Sequence, residues 1–387
     1  MNASCFGPIL DLADEAFEDA EQAVLCRVVR LVGSGYGRPG ARLLVTQSGR
    51  RAGYISGGCL ENDLCRRVWD ATRAGPRLLT FDTRGNPIDR RRGTGCEGVV
   101  SVLCQRVTKP SDPPLRVLRT ALSAMTRPAT LTVYRSDSSN AAVGEMWNRA
   151  DWSSKAEPFE DLRDHLSNVR ENGTVRFRDH DHQMVEAAVE FVPTPRRIVV
   201  FGSGSDVRPV AETASRMGWR VTVVCQRSPW PTGLPSESIE CLFDEPDRAV
   251  PRLDLHAEVD VIVMSHDFDR DRRLLPILLD QPLRSIGLLG PKRRLARLVM
   301  AMHREGRSIS PNEAAKIRSP VGLDIGAVTP EEIAISIVSE LIAIERRRSG
   351  TSLRDREGPV HRSCPHVDLT SRVPRPNVKP RAWETAV

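Results

Sequence analysis

From residue 22 to 107 the apolar positions fall mostly in strand-like runs. Residues 22–31 (QAVLCRVVRL) are apolar and β-branched, and residues 41–46 and 52–56 flank the turn QSGR, a hairpin signal. The period then changes. Leu60, Leu64, Val68 and Ala71 follow helical spacing, and Gly75 can end that helix. Residues 77–82 and 99–107 read as further strands. Between 108 and 195 the pattern weakens. KPSDPP reads as a linker, residues 128–135, 173–179 and 184–192 as strands, 136–160 as a surface insertion and 193–197 as a boundary. From 196 to 345 strands and helices alternate: strand, glycine turn, helix and strand over 196–227, a buried strand at 259–264, a helix at 269–280, a strand at 285–289 and a helix at 291–305. A strong helix follows over 330–347, where Thr329, Pro330 and Glu332 form a capping box.

Alternating strands and helices predict a parallel, doubly wound sheet. The expected fold class is therefore α/β: a C-terminal Rossmann-like unit plus an N-terminal α+β domain rich in strands. The expected domains are 1–107, a linker with additional strands at 108–195, a Rossmann-like domain at 196–348, and a tail at 349–387. That tail holds five prolines and no periodic pattern, so it is expected to be disordered.

Charge sharpens this division. The 387 residues carry 56 Lys+Arg and 50 Asp+Glu, a formal +6. Residues 346–387 contain ten basic and four acidic side chains, which accounts for the whole excess. A formally neutral body argues against a nucleic-acid partner, which needs a basic face. No apolar run approaches the ~18 residues of a membrane span. The acidic N-terminus lacks the pattern of a secretory signal. The nine cysteines contain no CxxC pair. A cytoplasmic protein with reduced thiols is expected.

Five turns carry candidate chemistry. In the first, Gly202-Ser203-Gly204-Ser205-Asp206-Val207 lies between a strand and a helix, where a dinucleotide fingerprint belongs. Gly202 permits the turn and Gly204 lets a phosphate approach the helix N-terminus, with Ser205 beside it. Val207 stands where a third glycine would be, and Cys225 where an acid would grip a ribose, so NAD(P) is not the expected ligand. In the second, Ser265-His266-Asp267 follows a buried strand. His266 is placed to act as acid, base or ligand, with Asp267 orienting it; the bland alternative is a strand end and a helix start. In the third, Gly57 and Gly58 precede Cys59 at the start of a helix, where the dipole favours a thiolate, and Glu61 suits the first turn. A buried inert cysteine is the alternative there. In the fourth, Gly93-Thr94-Gly95-Cys96-Glu97-Gly98 holds a second cysteine flanked by glycines. Alone it reads as a hairpin turn; with Cys59 it suggests a shared soft-ligand site, leaving both cysteines as metal candidates. In the fifth, Gly322, Asp324 and Gly326 make a tight loop before the last helix, either an anion site or a structural entry.

These motifs in order (GSGYGRPGARLLV, GYISGGCLE, GTGCEG, RIVVFGSGS, SHDFDRD, IGLLGPKRR and PVGLDIGAVTPEEIAISIVSELIA) resemble the xanthine dehydrogenase accessory protein family, XdhC/CoxI. The resemblance implies a chaperone-like maturation factor that binds molybdenum cofactor (molybdopterin), supports its sulfuration and helps insert it into an apo-hydroxylase. Its implied partner is a molybdenum hydroxylase of the xanthine or carbon monoxide dehydrogenase type. A cysteine desulfurase and a second copy of the chain are further candidates. The chain differs from the family pattern at Glu97, at Ser203 and Ser205, and at Cys225. Two other readings stay open: an NAD(P)-dependent oxidoreductase and a non-catalytic assembly scaffold.

Overall fold

Strand β1 (Ala23–Gly33) sorts its side chains between two cores. It pairs antiparallel with β2 (Arg42–Thr46) and β5 (Gly98–Val107). β3 (Arg51–Tyr54) and β4 (Arg77–Asp82) form the edges, giving the order β3-β2-β1-β5-β4. Val24, Cys26 and Val28 face helix α2 (Cys59–Ala71), whose Leu64 and Val68 complete that core. Val29 faces the other way, with Leu103, towards Tyr134 and Ala188 of a second sheet. Helix α1 (Phe6–Glu18) packs on β2 and β3 and against α3 (Pro113–Ser123).

The computed structural model describes residues 3–33, 37–56, 58–82, 98–124, 126–156, 159–230, 236–357 and 365–371. They divide into two units, one of residues within 6–193 together with 365–371, the other of residues within 194–357 together with 3–5. Among the described residues no helix is long and apolar enough to cross a membrane.

The second sheet of the first unit has the order β16-β8-β9-β6-β7, from β6 (Ala129–Ser136), β7 (Met146–Asn148), β8 (Gly173–Arg178), β9 (Met184–Phe191) and β16 (His366–Asp368). One face carries Leu131, Val133, Val175, Phe177, Ala187 and Val189. Against it lie Trp147, Trp152 and Ala156 from the region of α4 (Trp152–Lys155), and Leu162 and Leu166 of α5 (Glu160–Asn168). Two expectations change here. Residues 136–160 are not a surface insertion, because their tryptophans and Phe159 are buried as core. The second half of KPSDPP is not simply linker, because Pro113 takes the first position of a helix, where its missing N–H costs nothing.

The tail expectation changes as well. β16 pairs in parallel with β8, His366 opposite Thr174 and Asp368 opposite Arg176, and Leu369 is buried beneath the sheet. Three residues are too few for any periodicity to show, yet an open sheet edge supplies them with hydrogen-bond partners.

In the second unit all strands run parallel in the order β12-β11-β10-β13-β14-β15. These are β10 (Arg197–Phe201), β11 (Arg220–Cys225), β12 (Ile239–Phe243), β13 (Val259–Val263), β14 (Ser285–Leu288) and β15 (Ile317–Arg318). That is the doubly wound order in which the chain turns back between its first and fourth strands, β10 and β13. Helices α6 (Val207–Arg216) and α11 (Pro330–Arg346) cover one face, packing Val210, Ala214, Ile337 and Leu341 on Ile198 and Val200. A short α7 (Pro246–Ala249), α8 (Phe268–Leu279) and α9 (Lys292–Arg304) cover the other, with Leu274, Leu278, Leu298 and Met302 on Val199 and Phe201. The last helices are α10 (Pro311–Lys316) and α11, whose box closes with Glu332 N–H donating to Thr329 Oγ1 at 3.3 Å and Thr329 N–H to Glu332 Oε2 at 3.0 Å. The fold is thus α/β: a Rossmann-like parallel sheet and a strand-rich N-terminal part.

Candidate functional site

The reversal of strand order places the loops after β10 and β13 side by side at the carboxyl edge of the parallel sheet, where such folds bind ligands. Gly202 begins the first loop. A Cβ there would meet Met264 O at 2.7 Å, so the loop after β13 approaches too closely for any side chain. At Gly204 a Cβ would collide with Asp206 Oδ1 and lie 3.7 Å from the His266 ring. The second glycine therefore makes room for the Asp206 carboxylate as well as for any ligand. Ser205 is exposed on the same turn, and Val207 starts α6 fully buried.

His266 crosses to this turn. Its Nε2 lies 2.7 Å from Asp206 Oδ2. An ionised carboxylate only accepts, so Nε2 carries the proton in this pair, and Nδ1 is left as a lone pair when the ring is neutral. The side chain is 62% exposed, so His266 is no core residue. Its φ is +55°, in the left-handed region that a histidine adopts at some cost.

Asp267 has a different place from the one expected. It is the N-cap of α8, with Oδ1 accepting from the N–H groups of Asp269 at 2.9 Å and Arg270 at 3.1 Å. Those backbone donors, Arg270 first, hold its carboxyl below the usual range. The carboxylate that orients His266 is Asp206, sixty residues earlier in the chain and legible only once the two loops meet.

Cys225 is buried at the end of β11, and burial, with Cys241 beside it, pushes its thiol up to about 12. Gln226 accepts from Arg270 Nη2 at 2.7 Å and donates to Glu245, while its N–H donates to Ser203 Oγ at 3.2 Å. Below this rim, Ser265 donates to Asp271, which is buried and also accepts from Arg294 at 2.9 and 2.6 Å. One buried ion pair thus ties the loop after β13 to the turn that opens α9. Asp324 is exposed on the loop before α11; there Gly322, at φ +119°, donates its N–H to Glu340 at 2.7 Å, and Ser336 Oγ donates to Leu323 O at 2.6 Å. Asp324 is not brought to the His266 pair by any bond among the described residues.

The other predicted residues belong to the first unit. Cys59 is the first residue of α2, after Gly58 at φ +105°. Glu61 Oε1 accepts from the N–H groups of Ile55 and Ser56, each at 2.8 Å, so that oxygen already clamps the incoming loop. Gly57 and Cys96 lie outside the described residues. Among those described, no three His, Cys, Asp or Glu converge as a metal-ligand set.

Residues 198–341 match the XdhC Rossmann domain, and residues 16–82 match the XdhC and CoxI family. The chain belongs to the XdhC and CoxI family. Its two family matches fall one in each unit, the Rossmann match spanning the whole crossing of Gly202, Asp206 and His266. A protein of Bacillus subtilis, named as a probable xanthine dehydrogenase component, is 28% identical over 340 residues, 87% of this chain and 97% of that protein. A crystal structure titled as a xanthine dehydrogenase from Bacillus halodurans is similar at TM-score 0.64 and 27% identity, covering 91% of this chain and 98% of that one. An uncharacterized Escherichia coli protein is 28% identical over 156 residues, 40% of this chain and 28% of its own length. In this XdhC-family member, SHDFDRD supplies the His266 ring, the α8 cap and the buried Asp271, while GPKRR supplies the partner Arg294.

Proposed function

We propose that the chain is an accessory factor for a molybdenum hydroxylase, and that it carries molybdenum cofactor as cargo during sulfuration and insertion. The observation that carries the reading is the Asp206–His266 pair held across the strand-order reversal, with His266 exposed and its backbone in the left-handed region. The chemistry of the rim supports it. A pterin presents a ring edge rich in N–H donors, which suits carboxylates such as Asp206 and Asp267. Nδ1 of His266 offers a further acceptor when the ring is neutral. The cofactor supplies the molybdenum–dithiolene chemistry; the chain's own residues bind, orient and release it. The buried Cys225 and the engaged Gln226 leave no ribose-binding acid, which weighs against a nicotinamide cofactor. The partner in this reading is an apo-hydroxylase, with a cysteine desulfurase as sulfur source.

Titration of the full chain with molybdenum cofactor, with NADH in a parallel arm, tests this. His266→Ala is expected to weaken cofactor binding by up to about tenfold, the scale of one lost hydrogen bond, while melting with the parent. Equal cofactor retention by the variant, or tighter binding of NADH than of the cofactor, would sink the reading.

A sulfuration role also bears on the thiols. Cys65 is half-buried, and burial pushes its thiol up. Cys59 opens the same helix, at the end that favours a thiolate. Alkylation near neutral pH, read site by site, is expected to be about tenfold or more faster at Cys59. Cys59→Ser should fold normally and mature the client hydroxylase poorly. Equal alkylation rates with normal maturation would leave Cys59 structural.

A further inference from the structure

Between the two sheets of the first unit the buried charges do not balance. Arg27 and Arg42 sit opposite each other on β1 and β2. Both reach one acceptor, Glu190 Oε2 of β9, at 3.1 and 2.7 Å. All three side chains are at most 7% exposed. Arg42 is otherwise occupied, with Nη1 donating to Gly40 O at 2.7 Å and the guanidinium over the Phe6 ring. Arg27 is not: its Nη2 is buried without a hydrogen-bond partner. The other buried acid on this side of β9, Glu186, is taken by Arg176 at 2.9 Å and Arg135 at 3.6 Å. Two guanidiniums therefore share one carboxylate, and one buried donor is left over.

A small cavity adjoins them. It is lined by Leu25, Arg27, Arg42, Gln105, Pro114 and Met146, and has room for about one water-sized sphere. Met146 pairs with Thr132, whose hydroxyl is also buried without a partner. Among the described residues the charged groups of the lining are the two guanidiniums, while the Gln105 amide and the nearby Thr132 hydroxyl can each donate or accept. Burial lowers the Arg27 guanidinium to about 10, and Glu190 restores it only in part. Burial also pushes the Glu190 carboxyl up, yet Arg42 and Arg27 together hold it below the usual range, so it stays ionised and leaves a net positive site. A water could satisfy Arg27 Nη2 and leave the charge; a small anion satisfies both.

We propose that this cavity binds one monovalent anion of halide size, which completes the charge set between the two sheets and ties them together.

The test uses the full chain in sodium chloride, bromide and sulfate at equal ionic strength. A site of this kind gives a saturable, halide-specific rise in Tm of the first unit, about 3–6 °C at tenfold excess over Kd. Bromide-soaked crystals should show one anomalous peak beside Arg27 Nη2. Arg27→Met should abolish the halide-specific increment. If that variant fails to fold, Gln105→Leu, which leaves the ion pairs intact, should reduce the increment. Identical melting in all three salts, or a water with no anomalous signal at that position, would overturn the proposal.

Discussion

Replacing Asp260 with alanine is expected to destabilise the second unit by about 3–5 kcal/mol. Asp260 is fully buried on β13 and is the common acceptor of one end of the sheet. Its Oδ2 accepts from Arg196 at 3.0 and 2.6 Å and from Arg284 at 2.9 Å, and its Oδ1 accepts from Ser285 at 2.6 Å. Arg196 in turn stacks on Trp219 at 4.2 Å and donates to Leu341 O at 2.7 Å, so the same network holds α11 to the sheet. Burial pushes the Arg196 guanidinium down, and Asp260 pulls it back. Removing the carboxylate takes the Asp260 counter-charge from Arg284 and leaves Arg196 only its longer contact with Glu345, at 3.4 Å. Calorimetry should show the transition of this unit lowered by roughly 10 °C. Asp260→Asn, which keeps the shape and discards the charge, should recover only part. A variant melting within about a degree of the parent would show that the ion network contributes nothing net.

Ending the chain after His361 is the second large effect. That truncation removes β16 and Leu369 from the first unit. Thr174 would lose the bond from its N–H to Pro365 O at 2.9 Å and its hydroxyl contact with His366 Nδ1 at 2.8 Å. Val175 and Phe177 would lose Leu369, a buried leucine whose truncation to alanine alone typically costs about 2–5 kcal/mol. The expected outcome is an unfolding midpoint for the first unit lowered by several degrees, with the second unit unchanged; Leu369→Ala should reproduce most of the loss. If the shortened chain unfolds like the full one, residues 365–371 are decoration.

The two expectations differ in how far the sequence could support them. Runs such as VDVIVM and the period of residues 330–347 reflect burial on both faces of a parallel sheet and on one helix face, and such local patterns are legible in one dimension. The capping box at Thr329 and Glu332 is equally local and appears as expected. Helix α1, absent from the sequence expectation, carries the same kind of local pattern, with Phe6, Ile9, Leu10, Ala13 and Ala16 on its buried face. Residues 136–160 misled because their aromatic residues are spaced for no single period; they are buried by a sheet assembled from segments up to 220 residues away.

At the candidate site the sequence by itself determined the strand–glycine turn–helix unit, the histidine at a strand end, the buried cysteine where a ribose acid would stand, and the helix beginning at Cys59. Each of these depends on neighbours in the chain. Only the tertiary structure decided that Asp206 and not Asp267 partners His266, that Glu61 spends one oxygen on the amides of residues 55 and 56, and that Arg27 and Arg42 share Glu190. The reason is physical. A carboxylate is claimed by whichever donors the fold brings within about 3 Å. For Asp267 those donors are the amides of its own helix; for Asp206 and Glu190 they come from 60 and about 150 residues away, where strand order alone sets the meeting.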